Sequence, residues 1–192
     1  MTPEEGPDGD AELHRERRIE SSGAPPRAAE AAVVLLHGRG ATTRGVLDLV
    51  EEFYHRGVLY LAPQATHNRW YPAPGFGPLE HNEPWLSAAL ARVDDALEMA
   101  ADAGVPPERT LLFGFSQGAC LAAEFVARTP RRYGGLVALS GGLLGERVGE
   151  YEGSLDGTPV FLGCSATDPY VSAERVRATA AVFEALDGRV TA

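Results

Sequence analysis

From Ala31 onward, apolar and polar positions fall into two kinds of run that alternate along the chain. AAVVLLH (31–37) is continuous and apolar, the pattern of a strand buried on both faces, and it leads into HGRG. Thr42 to His55 carries Val46, Leu47, Leu49, Val50 and Phe53 at helical spacing, and Gly57 breaks it. VLYLAP (58–63) is a second buried strand. Residues 64–83 lose all periodicity and are rich in aromatics. Pro84 then opens a long helix to about Ala103, closed by Gly104. RTLLFGF (109–115), YGGLVALSG (133–141) and TPVFLGCSA (158–166) predict strands. QGACLAAEFVART (117–129) and VSAERVRATAAVFEAL (171–186) predict helices. Strands alternating with helices imply right-handed crossovers and a mostly parallel sheet in three layers. Residues 1–30 are rich in Pro, Gly and charge, and read as a tail or, through the weakly alternating ELHRERRIE, as an edge strand. Residues 31–192 read as one domain with no internal repeat.

Composition narrows the chemistry. An apolar fraction of 44% and a mean hydropathy of -0.14 suit a soluble globular chain. No apolar run approaches the ~20 residues that span a bilayer. The acidic start MTPEEGPDGD lacks the apolar core of a signal peptide, so the expected location is cytoplasmic. Cys120 and Cys164, the 2 cysteines, lie in apolar segments and read as buried thiols, too few for a cysteine metal site. Neither a metal nor an organic cofactor is expected. The net charge is -10, and all 17 basic residues are arginine. An acidic surface argues against nucleic acid or anionic membrane as partner. The lack of lysine excludes a Walker A phosphate loop and a pyridoxal Schiff base. A small-molecule ligand is what remains, with a homodimer left open.

Gly114-Phe-Ser116-Gln-Gly118 reads G-x-S-x-G between a predicted strand and a predicted helix. At such a turn the serine takes strained dihedrals, and a side chain on either glycine would collide with the backbone. The bland reading is a structural serine satisfied on a nearby carbonyl. The two glycines favour the nucleophile. Its oxyanion needs donors, for which the N–H of Gln117 and of Arg39, in the loop after strand 31–37, are the candidates. His37 reads as a brace for that loop. Cys120, one helical turn after Ser116, reads as core.

HGRGA, NRWYP with EHNEPWL, GFSQGA and GCSATDPYV occur in this order. Together they resemble the carboxylesterase/phospholipase family of α/β-hydrolases, relatives of the acyl-protein thioesterases, over about residues 30–192. The resemblance implies an α/β-hydrolase three-layer sandwich acting as a serine carboxylesterase on small to medium acyl esters, with thioesters or lysophospholipids as variants. It implies Ser116 as nucleophile, Asp168 as triad acid, and Arg39 and Gln117 as the oxyanion hole. Asp168 also fits by position, in the loop leaving strand 158–166; a helix cap ahead of Val171 is its bland reading. Asp156 and Glu174 are weaker candidates for the acid. Trp70, Tyr71 and Phe76 are expected to line an acyl pocket, with core packing as the alternative.

In this fold the triad histidine follows the acid. The 5 histidines here, His14, His37, His55, His67 and His81, all precede Ser116. Helix 171–186 should hand over to one last strand, and the sheet reads as lacking it. The favoured explanation is a fragment of a longer protein. A natural truncation without catalysis is the second, and His67 or His81 as substitute base the third. A non-catalytic binding homologue is therefore the alternative function.

Overall fold

The computed structural model describes residues 13–14 and 18–192. Residues 1–12 and 15–17, the latter within the ELHRERRIE segment, lie outside the described residues. The first strand, β1 (Ile19–Gly23), starts at the end of that segment and runs on beyond it to Gly23. It is followed by β2 (Ala31–Leu36), α1 (Thr43–Asp48), β3 (Val58–Pro63) and α2 (Trp85–Asp102). Then come β4 (Thr110–Phe115), α3 (Gln117–Arg128), β5 (Gly135–Leu139), β6 (Pro159–Gly163), α4 (Ala173–Ala185) and β7 (Arg189–Thr191).

The sheet order is β1-β3-β2-β4-β5-β6-β7, with β1 antiparallel to β3 and every other pair parallel. β7 corrects the expectation that the last strand is missing: Val190 pairs with Val160, and Thr191 with Phe161. Val190 is its one apolar residue, so the segment carries no periodic signal.

β2 explains the layering. Val34 and Leu36 join a core with α2, α3 and α4, whereas Leu35 joins Val46 and Val50 under α1 on the other face. α2 buries Leu86, Ala89, Val93, Ala96 and Ala100, one stripe at helical spacing. It ends before Gly104, whose φ of 83° is the left-handed conformation that closes helices. α3 is buried from Gln117 to Ala127, and its small residues let it press against the central strands. α1 is shorter than expected and gives way to a 3₁₀ turn at Leu49–Glu52.

From β2 the chain moves to β3 on one side, then crosses back to β4 on the other. The loops leaving the carboxyl ends of β2 and β4 therefore diverge and open a crevice, the usual ligand position in such sheets.

Candidate active site

Ser116 sits in that crevice between β4 and α3. Its φ of 53° and ψ of -116° are a conformation that side-chain-bearing residues avoid, at a cost of about 1–3 kcal/mol. Its N–H donates to Leu139 O (2.8 Å), and its carbonyl accepts from Cys120 N (3.0 Å), which holds the turn in place. The flanking glycines make the turn feasible. A Cβ at Gly114 would stand 2.6 Å from Ala119 Cα, and one at Gly118 2.7 Å from His37 O. Both are far inside contact distance.

Gln117 opens α3, so its N–H has no acceptor within the helix and points outward with the positive end of the helix dipole. The loop after β2 lies beside it: a Cβ at Gly38 would be 3.5 Å from Ser116 Cβ. In this loop Gly40 N–H donates to Asn68 O (2.7 Å) and Ala41 N–H to Gly38 O (3.1 Å). Among the described residues Arg39 N–H has no backbone acceptor. Ser116, Gln117 and the Gly38 backbone thus lie side by side, with Arg39 the next residue of the loop.

His37 is the brace the sequence suggests. Ala65 N–H donates to its Nε2 (3.1 Å), so its proton is on Nδ1, which donates to Gly38 O (2.8 Å). His14 makes the matching contacts on the next residue: Thr66 N–H donates to Nδ1 (3.1 Å), and Nε2–H donates to Trp70 O (3.0 Å). Two buried neutral imidazoles therefore hold consecutive amides of one loop. Burial lowers both pKa values below the ordinary 6.5, with Arg92 lowering that of His14 further. A depressed histidine contributes stability that is complete above its ordinary value and is lost as pH falls through the folded one. The midpoint of thermal unfolding is expected to hold from pH 8 to about 7 and to fall towards pH 5, before most carboxylates titrate. Calorimetry across that range, with His37→Gln shrinking the step, checks it.

Asp168 leaves β6 at the same sheet edge as Ser116, with β5 between them, a lateral offset of about 10 Å at ~4.8 Å per strand. Its Oδ1 accepts from Tyr170 N (2.8 Å) and Val171 N (3.0 Å). These two bonds hold its carboxyl below the usual range, helped by Ser140 and Cys164 side chains. The helix cap is Ser172, whose Oγ accepts from Arg175 N, so Asp168 closes a turn and does not cap α4. Asp156 lies in the turn entering β6, at the opposite end of that strand, and Glu174 is in the first turn of α4.

The aromatic loop needs correction. Trp70 and Tyr71 are 0% and 2% exposed, members of the core, and cannot wall an open acyl pocket. Trp70 Nε1 donates to His37 O (2.9 Å), an indole serving as a beam under the loop. Phe76 is half-buried beneath the Arg175 guanidinium, 4.7 Å above its ring. His67 and His81 are exposed, and His67 lies against the Trp85 ring. Among the described residues none of the histidines bonds to the Ser116 hydroxyl.

Sequence reasoning missed Glu124, a lone carboxylate on the apolar α3. It is buried and accepts from Leu144 N (3.0 Å), the Tyr151 hydroxyl (3.0 Å) and Arg128 Nε (2.7 Å), so it anchors the loop between β5 and β6. A single acid inside QGACLAAEFVAR is the signal that could have found it.

A strained serine at a strand-to-helix turn, at the carboxyl edge of a mostly parallel sheet, defines an α/β-hydrolase. The phospholipase/carboxylesterase family profile matches residues 16–192. A phospholipase/carboxylesterase from Dyadobacter fermentans superposes with a TM-score of 0.88 at 38% identity, covering 91% of this chain and 85% of that one. The chain belongs to the phospholipase/carboxylesterase family and is a hydrolase. Acyl-protein thioesterase 1 of Saccharomyces cerevisiae is 29% identical over 167 residues, 74% of this chain and 72% of that protein. A Bacillus cereus carboxylesterase shares the fold with a TM-score of 0.74 at 19% identity, covering 97% of this chain and 88% of that one.

Proposed function

We propose that the chain is a serine carboxylesterase that transfers the acyl group of a small or medium ester to Ser116 and then to water. The observation that carries this reading is the strained Ser116 at the start of α3, with Gln117 next to it and Gly38 of the β2 loop alongside, which supports the N–H groups of Gln117 and Arg39 as the oxyanion donors. Ser116 Oγ adds to the ester carbonyl as its proton passes to a base. The carbonyl oxygen becomes an oxyanion, accepts from the two N–H groups, and collapses with loss of the alcohol. Water repeats the sequence on the acyl-enzyme. Donors fixed before reaction lower the barrier because they need no reorganisation as charge develops; removing one such donor typically costs 10²–10³-fold.

Asp168 has the properties of the triad acid: it is anionic at neutral pH and faces the same sheet edge. A thioester is the nearest variant substrate, as the name of the yeast relative suggests. No helix among the described residues is long and apolar enough to cross a membrane. The two free thiols, Cys120 and Cys164, support a reducing compartment, and we place the protein in the cytoplasm. A ligand-binding role without catalysis is the second reading, favoured by the lack of a described histidine bonded to Ser116.

The test is covalent trapping. Incubation with p-nitrophenyl acetate followed by peptide mass spectrometry is expected to find one acetyl group on the peptide containing Ser116, and none on Ser116→Ala. An unmodified peptide after long incubation would leave the binding role standing.

A further inference from the structure

We infer that the side chain of Arg39 is a positioning residue for the oxyanion hole, acting through the main-chain carbonyl of Tyr71. The inference rests on the assignment of Arg39 and Gln117 as oxyanion donors and extends it to what their side chains do. These two residues lie in different loops, one after β2 and one after β4. Their N–H groups stabilise one oxygen only if the spacing between the loops is fixed. No strand hydrogen bond reaches that far: the β2–β4 register ends at Leu36↔Gly114.

The side chains supply the missing tie. Arg39 Nη2 donates to Tyr71 O (2.9 Å), and Gln117 Nε2 donates to the same oxygen (2.8 Å). Each residue also holds the segment at a second place. Arg39 reaches Pro72 O (3.0 Å) and Ala73 O (3.1 Å), and Gln117 Oε1 accepts from Trp70 N (2.9 Å). Residues 70–73 therefore form a splint, and one carbonyl oxygen, with its two lone pairs, joins both donor loops. The planar guanidinium suits this work: its fork meets three successive carbonyls at once, and no other side chain presents donors in that geometry.

The β2 loop is tied to residues 68–70 at two further points, by Gly40 N–H to Asn68 O (2.7 Å) and by Trp70 Nε1–H to His37 O. These bonds anchor the ends of the β2 loop, while Arg39 itself is exposed. Loss of its guanidinium therefore frees the middle of that loop without opening the core. The expected result is a misplaced donor in a folded protein. A shift of about 1 Å at a reacting centre can cost 10²-fold.

The experiment compares wild type, Arg39→Ala, Arg39→Lys and Ser116→Ala in p-nitrophenyl acetate hydrolysis, with hydrogen exchange at the Gly40 amide as a readout independent of activity. Arg39→Ala is expected to lower kcat by about 10–100-fold with KM within about twofold, at an unchanged unfolding midpoint. Added guanidinium ion is expected to restore part of kcat in Arg39→Ala and nothing in Ser116→Ala. Gly40 should exchange faster in Arg39→Ala than in wild type, with Arg39→Lys between them. Unchanged kcat and Gly40 exchange in Arg39→Ala would overturn the inference, as would a fall in kcat matched by a general loss of stability. If wild type does not exceed Ser116→Ala, the esterase reading fails instead, and Gly40 exchange alone decides whether Arg39 holds the loop.

Discussion

Gly118→Ala is expected to destabilise the protein by more than about 4 kcal/mol, beyond the usual range for a point substitution. The methyl group would overlap the Leu36 carbonyl and stand 2.7 Å from His37 O. Neither can retreat, because Leu36 ends a strand paired on one side with β4, and Trp70 holds His37 O. α3 cannot retreat either, since it is buried along its length against β4 and β5. Gly40→Ala is the control. Gly40 also needs permissive backbone, at φ 79°, but a Cβ there meets nothing within 4 Å. Its cost should be the conformational strain alone, about 1–2 kcal/mol. Urea denaturation of both variants separates the two cases. Equal losses would mean that α3 and β2 slide apart easily, and that the elbow is not held by close approach.

Free imidazole is expected to accelerate ester hydrolysis by the 192-residue chain by about 10–100-fold, at or below the low end of the roughly 10²–10⁴-fold that a positioned general base supplies, because a free base is not held in place. Ser116 has a nucleophile's backbone geometry, but among the described residues no histidine is hydrogen-bonded to its hydroxyl. An unassisted hydroxyl is a poor nucleophile. A small base that enters beside Ser116 would find Asp168 in its ionised form, held by two backbone amides, ready to stabilise the imidazolium. The gain should saturate with imidazole concentration. It should also grow with pH through the imidazole pKa, since only the neutral ring accepts a proton. Ser116→Ala should abolish it. A gain that survives in Ser116→Ala would mean imidazole attacks the ester directly, and the nucleophile assignment would fall. Asp168→Asn should keep Ser116 available while reducing the saturating rate.

The framework of this fold is legible because its signals are local. AAVVLL and VLYLAP are buried on both faces and read as such, and G-F-S-Q-G between a strand and a helix admits few other structures. Edges are harder to read. β1 has one partly buried residue, Ile19, and β7 one, Val190, so neither presents a periodic pattern. Pairing with β3 and β6 makes them strands, and pairing is a long-range fact. The aromatic loop fails for the same reason. Trp70 and Tyr71 in an irregular segment suit a pocket wall or a core equally well. What decides is a set of bonds to residues more than thirty positions away, from Trp70 to His37 and from Gln117 to Trp70 and Tyr71. His14 belongs with these, since nothing in ELHRERRIE suggests a buried ring against two tryptophans.

The shared acceptor at Tyr71 also bears on how such a site can drift in evolution. A main-chain carbonyl is present whatever amino acid follows it, so substitution at position 71 alters the core without deleting the tie. The vulnerable ends are positions 39 and 117, where the donors are side chains. A lineage that lost one would place a larger demand on the other. Divergent copies of this site should therefore change at 39 and 117 together, or recruit a new donor to the same oxygen.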